Sequence, residues 1–185
     1  MIHPDIVTLG DPILKLACSK VENIAGISDH CKKMVSLLRE LKGAGLAGPQ
    51  IGLHKRIIVV EVRKTELFPN RIESPLYVMI NPEIIKASLE VEEGWEGCFS
   101  VPGMVGLVER SKNITVKYQS QAGQEHLENF EGYLARVIQH ECDHLDGYLY
   151  LEKMKDISRL STVENYKIYE HENQLPSRSR SSTLK

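Results

Sequence analysis

The chain has 185 residues, 42% of them apolar and 26% charged, with 23 basic against 25 acidic side chains for a formal charge of −2. That length suits one domain, the apolar content suffices for a buried core and excludes wholesale disorder, and the near balance of charge argues against a dedicated nucleic-acid binder. Cys18, Cys31, Cys98 and Cys142 include no C-x-x-C pair and are too few for a disulfide framework, so a reducing compartment is expected. With no basic leader and no apolar run near the roughly 18–20 residues of a membrane span, the expected location is cytoplasmic, with no membrane partner.

Asp11-Pro12-Ile13-Leu14 reads as a turn entering a short apolar piece that docks on the rest of the chain. Apolar residues at helical spacing predict a helix from Asp29 to Lys42, with Ser28 as N-cap and Gly43 just past its end. The glycine-rich run from Gly43 to Gly52 then reads as a loop lining a site, since missing side chains let a backbone approach a ligand. Strand signals follow at Arg56 to Val62, Leu76 to Asn81, Ala87 to Glu92, Leu107 to Arg110 and Ile114 to Tyr118. A turn at Ala122-Gly123 sends a return strand through Phe130. Helical spacing resumes from Tyr133 to Leu145, ended by Gly147, and a last helix is expected from Ile157 to about Glu172. The order helix, strand block, helices predicts an α+β fold. One domain over 1–175 is expected, with a mobile Ser/Arg tail over 176–185.

His140-Glu141-Cys142-Asp143-His144 carries the chemistry. Two histidines four positions apart lie about 40° apart around a helix and can bind one metal ion. The adjoining glutamate then serves as general base for a water that the metal activates. A catalytic site of this kind takes a third protein ligand. Cys98 and Glu164, the latter twenty positions beyond His144, are the two candidates, and composition does not choose between them. Cys142 lies about 200° around the helix from His140 and reads as structural, while Asp143 is expected to meet Arg110. Tyr133 and Val137, two turns and one turn before His140, read either as pocket lining or as plain core, and Trp95 as a lid or a core ring.

Three segments in order, Gly43-Ala44-Gly45-Leu46-Ala47-Gly48-Pro49-Gln50, Glu96-Gly97-Cys98-Phe99-Ser100 and Gln139 to Leu145, closely resemble the signature motifs of peptide deformylases. The resemblance runs from about Val7 to Met154 and implies antiparallel sheets packed around a central metal-binding helix. It implies hydrolysis of the formyl group from the formylmethionine that begins nascent polypeptides, with the ribosome as accompanying candidate partner. By the same resemblance Cys98, His140 and His144 hold the metal, Glu141 moves the proton, Gln50 and the Phe99 amide face the oxyanion, and Gly45 pairs with the substrate backbone. Tyr133 and Val137 would line the methionine pocket. The ligand set suits zinc, whereas the resemblance implies Fe²⁺, with Zn²⁺, Ni²⁺ or Co²⁺ as substitutes, in a bacterial cytoplasm or an organelle.

Three departures accompany the resemblance: Gly48 stands for the usual alanine, Phe99 for leucine and Val105 for an arginine that many relatives carry. They are expected to loosen the first loop, narrow the cleft and weaken substrate binding. They also prompt an alternative, a non-enzymatic peptide-binding relative. An endopeptidase using Glu164 is the other.

Overall fold

In the computed structural model, which describes residues 3–65 and 71–169, the first amphipathic run forms α1 (Ser28–Glu40) and buries Cys31, Met34, Leu37 and Leu38. Ser28 is its first helical residue and not its cap, because a 3-10 turn at Ala25–Ile27 feeds straight into it. Lys42, at φ 55°, supplies the left-handed residue after the helix, leaving Gly43 to a different task.

Beyond α1 the glycine-rich run is more ordered than a loop: β1 (Gly45–Ala47) is followed by a 3-10 turn at Gly48–Ile51. β2 (Ile57–Val60) is buried at all four positions. That continuous apolar run has a packing reason: Ile57 and Val59 join the cluster under α1, while Ile58 and Val60 join the opposite one. β3 (Tyr77–Ala87) pairs with β2 in the register Ile58↔Met79, as the two predicted strands require.

The strand expected from Ala87 to Glu92 is instead a corner. β3 ends at Ala87 and β4 (Val91–Cys98) begins at Val91. Between them the Ser88 hydroxyl donates to the Glu90 carbonyl at 2.7 Å and Leu89 is left fully exposed. β5 (Val101–Ser111), β6 (Asn113–Gln119) and β7 (Glu125–Glu131) complete the strand block. The strands divide into two antiparallel sheets, one ordered β1-β2-β3-β6-β7 and the other β4-β5 with a short later strand.

α2 (Gly132–Leu145) lies between these sheets. Its Ala135, Ile138, Cys142 and Leu145 pack on Ile58, Met79, Val116 and Phe130 of the larger sheet. Arg136 on the same helix donates to the Gly94 and Val108 carbonyls of the smaller one. This is the α+β arrangement around a central helix that the resemblance implies.

The C-terminal helix is shorter than expected. Ile157–Arg159 is a 3-10 turn, β8 (Leu160–Thr162) pairs with β5, and only then does α3 (Val163–Tyr169) begin. Three ladder positions, Met104↔Thr162, Val105↔Ser161 and Gly106↔Leu160, pull this stretch out of helix. The predicted tail and the end of the predicted last helix lie outside the described residues. Among those residues no helix is long and apolar enough to cross a membrane.

At the other end, Pro12–Lys15 turns and buries Leu14 as foreseen, with Asp11 capping the Ile13 amide. Just before it, Val7 and Leu9 donate to the Gln50 and Ser100 carbonyls at 2.8 and 2.7 Å. The first segment therefore ties the loop after β1 to the loop after β4.

Candidate metal centre and cleft

Cys98 ends β4, where the ladder register shifts between Gly97 and Cys98 and the chain turns through Phe99 and Ser100. His140 and His144 lie one turn apart on α2 with ring centroids 5.0 Å apart. Strand end and helix meet so that Cys98 Sγ is 3.2 Å from His144 Nε2. Ligand atoms of Cys98, His140 and His144 all fall within 4.8 Å of one another, the one such group of three among the described residues. One thiol and two imidazoles, converged and mostly buried, fit a tetrahedral metal with a position left open. Glu164 is not in this group and is exposed on α3, which removes the endopeptidase ligand set.

Glu96 holds the centre's frame, a role that reading the sequence did not assign. Its buried carboxylate accepts from Arg110 Nε at 3.0 Å and Nη2 at 2.9 Å, and from Arg136 Nη1 at 2.9 Å. It also meets His140 Nδ1 at 2.9 Å, leaving Nε2 of that ring turned to the centre. Burial raises the Glu96 carboxyl, but hydrogen bonds and charge from His140 and Arg110 outweigh it and hold it well below the usual carboxylate range. Arg110 also reaches Asp143 at 2.5 Å, as expected, and Lys153 meets the same carboxylate at 3.3 Å. Behind His140 the buried Tyr150 ring stacks at 6.2 Å.

The rings differ in proton affinity. Burial drives His144 well below its ordinary value, so it stays neutral, and its buried Nδ1 has no hydrogen-bond partner among the described residues. Burial also lowers His140, yet hydrogen bonds from Cys98 and Glu96 more than offset that and pull it well above the ordinary value.

Glu141 lies 4% exposed beside the ligands, with Oε2 buried and unpaired among the described residues. Burial pushes its carboxyl up to about 7 against the pull of His140. Gly45 makes room for it: a Cβ there would overlap Glu141 Oε1 and come within 2.7 Å of Val137 Cγ1. Gln50 is aimed by its surroundings. Its Oε1 accepts from the Ala47 amide at 2.8 Å, which turns Nε2 toward Cys98 Sγ and Ser100 Oγ, each at 3.3 Å.

All predicted site residues except His144 border one cleft of about 410 Å³. His144 sits behind the wall, 1% exposed. Tyr133 is on the rim with Arg71 stacked 4.3 Å above its ring, and Val137 is nearly buried. Trp95 is a cleft wall and not core, its ring 5.1 Å from Tyr166. Cys142 is buried in the core away from the ligands, as its helical position predicts.

Two of the three departures have local explanations. A Cβ at Gly48 would come within 2.6 Å of the Lys55 carbonyl and 2.8 Å of that of Leu53, so the glycine permits close packing and does not loosen the loop. The Phe99 ring lies over Gly43, where a Cβ would stand 2.6 Å from Phe99 Cε2, and it joins the α1 core. Gly43 thus makes room for the ring, which was expected to narrow the cleft and does border it. Val105 borders the cleft between Gly97 on β4 and Ser161 on β8.

A family profile described as polypeptide deformylase matches residues 3–160. A peptide deformylase of Leptospira biflexa is 41% identical over 155 residues, 81% of this chain and 87% of its own. Peptide deformylase 2 of a Nostoc species is 37% identical over 87% of this chain and 91% of its own. Among solved structures, a Met-Ala-Ser-bound class I type b peptide deformylase from Acinetobacter baumannii superposes with TM-score 0.79 at 36% identity, over 83% of this chain and 99% of that one. Sequence and backbone agree over nearly the same span, and the protein belongs to the polypeptide deformylase family.

Proposed function

We propose that the protein hydrolyses the N-formyl group of peptides beginning with formylmethionine, releasing formate and a free amine. The observation that carries this reading is the convergence of Cys98, His140 and His144 within 4.8 Å beside the Glu141 carboxyl in a cleft. The Met-Ala-Ser peptide in the Acinetobacter neighbour supports a peptide occupant.

Cys98 Sγ and the Nε2 atoms of His140 and His144 would hold the metal. Bound there, it would act as Lewis acid and lower the pKa of water. Glu141 takes a proton from the attacking water and passes it to the departing nitrogen, and its burial suits a group that must both accept and give. Gln50 Nε2, already aimed by Ala47, donates to the oxygen on which negative charge develops, with the Phe99 amide beside it. Removing such a donor costs about 2.7–4 kcal/mol of barrier. The Gly45 backbone pairs with the extended peptide as an added strand, which β1 permits as the edge of its sheet. Tyr133 and Val137 flank the methionine side chain.

Fe²⁺ is the metal we propose, on family grounds, with Zn²⁺, Ni²⁺ or Co²⁺ able to occupy the same ligands. A cytoplasmic or organellar setting and a contact with the ribosome complete the reading. The test is formate release from formyl-Met-Ala-Ser by protein purified anaerobically with Fe²⁺, beside Glu141→Ala and an unformylated peptide. Release that vanishes in the variant supports the reading. Silence from folded, iron-loaded protein overturns it and favours a peptide-binding relative.

A further inference from the structure

We propose that basic side chains at the cleft mouth, one of them supplied by α3, select formyl-Met peptides with an acidic side chain near the third residue, an inference that rests on the deformylase reading. The matched family profile ends at residue 160, and the segment beyond it folds back over the site. Pairing of β8 with β5 lays α3 against Trp95, and Val163, Tyr166 and Lys167 then border the cleft. Lys42 and Arg71 border it too.

Among the residues that border the cleft, the exposed charge is one-sided. The acidic residues bordering the cleft are Glu96 and Glu141, both buried, and Glu96 is already matched by Arg110 and Arg136. Arg136 is spent on that pair. Lys42 and Lys167 are exposed, and neither is held in an ion pair among the described residues. Cations that line a low-dielectric cleft raise the local concentration of anionic ligands and speed their capture.

Position follows from strand geometry. Trp95 precedes Cys98 by three residues on β4, about 10 Å of extended chain. A peptide running alongside that strand from the centre would bring its third residue to the Trp95–Tyr166 end, where Lys167 lies. Exposed charges act weakly and are screened by salt, so selection should be modest and salt-sensitive.

The experiment compares kcat/KM for formyl-Met-Ala-Glu-Ser, formyl-Met-Ala-Gln-Ser and formyl-Met-Ala-Lys-Ser at low and high salt. The expected order is Glu, Gln, Lys, with a spread of about tenfold at low salt that shrinks to about twofold at high salt. Lys42→Gln with Lys167→Gln should remove most of the spread, and Lys167→Gln alone a part of it. Equal rates for the three peptides, or a spread that survives the double variant, overturn the proposal. No formate from any peptide would instead count against the deformylase reading. Binding then decides: Trp95, the single tryptophan, borders the cleft and reports unformylated Met-Ala-Glu-Ser and Met-Ala-Lys-Ser by fluorescence. Tighter binding of the Glu peptide upholds charge selection, and equal Kd values overturn it.

Discussion

Glu96→Gln is the substitution that probes the frame around the centre most directly. The side chain keeps its size, but one carboxylate oxygen becomes an NH₂ facing donors from Arg110, Arg136 and His140. Arg136 would then keep only carbonyl partners at Glu92, Gly94 and Val108, a buried guanidinium without its counter-charge. Breaking a buried pair from one side costs about 3–5 kcal/mol. For a chain of this size that corresponds to a fall in Tm of about 6–20 °C. Since His140 would lose the acceptor that orients its ring, metal affinity should also drop about 10–100-fold. The sign with pH is set by a carboxyl held below its ordinary value of 4.5. Its contribution is present above that value and lost as pH falls toward the folded-state value. The gap between wild type and variant is therefore full at neutral pH and narrows in acid. Thermal melts and chelator competition measure both effects. A Tm change below about 2 °C together with unchanged metal affinity would refute the reasoning.

Gly45→Ala should fold but lose about 10²-fold in formate release, because its methyl displaces Glu141 from a position where a shift of about 1 Å matters that much. A full-rate variant would mean that the carboxylate relocates freely. Metal uptake should strengthen as pH rises, since below the raised value of His140 a proton competes for the ring. Calorimetry in buffers of different ionisation enthalpy would reveal the released protons. In metal-free protein at pH 8, iodoacetamide should label the partly exposed Cys98 first. Burial keeps Cys18 and Cys142 protonated, with pKa values pushed up to about 11 and about 12, so they should react only after unfolding. Peptide mapping of the labelled protein checks this.

Where the chain's own periodicity carried a signal, the sequence was readable. α1 and α2 show apolar spacing that needs no partner to be seen, and the His140–His144 pair inherits its geometry from the helix. Legibility failed where a neighbour made the decision. Val91, Glu92 and Glu93 are exposed on β4, so nothing in their pattern marked the corner at Ser88. Leu160–Thr162 is a strand only because β5 offers an edge there. Glu96 stands in a run of glycines and acids, where nothing in the pattern marks it as buried. Its burial depends on Arg110 and on Arg136, which comes from the helix across the site. A hint existed: Arg136 precedes His140 by four positions on the helix, and a charge held beside a buried histidine requires a partner.

Cys98 belongs to the smaller sheet, whereas both histidines belong to the helix wedged between the sheets. An ion bound at that junction is consequently a rivet through separately formed layers. A chain in which β4 has not docked would offer the two imidazoles alone and grip weakly. Loading should therefore favour the assembled chain, and pulling the ion out should loosen the seam between layers before it melts either one.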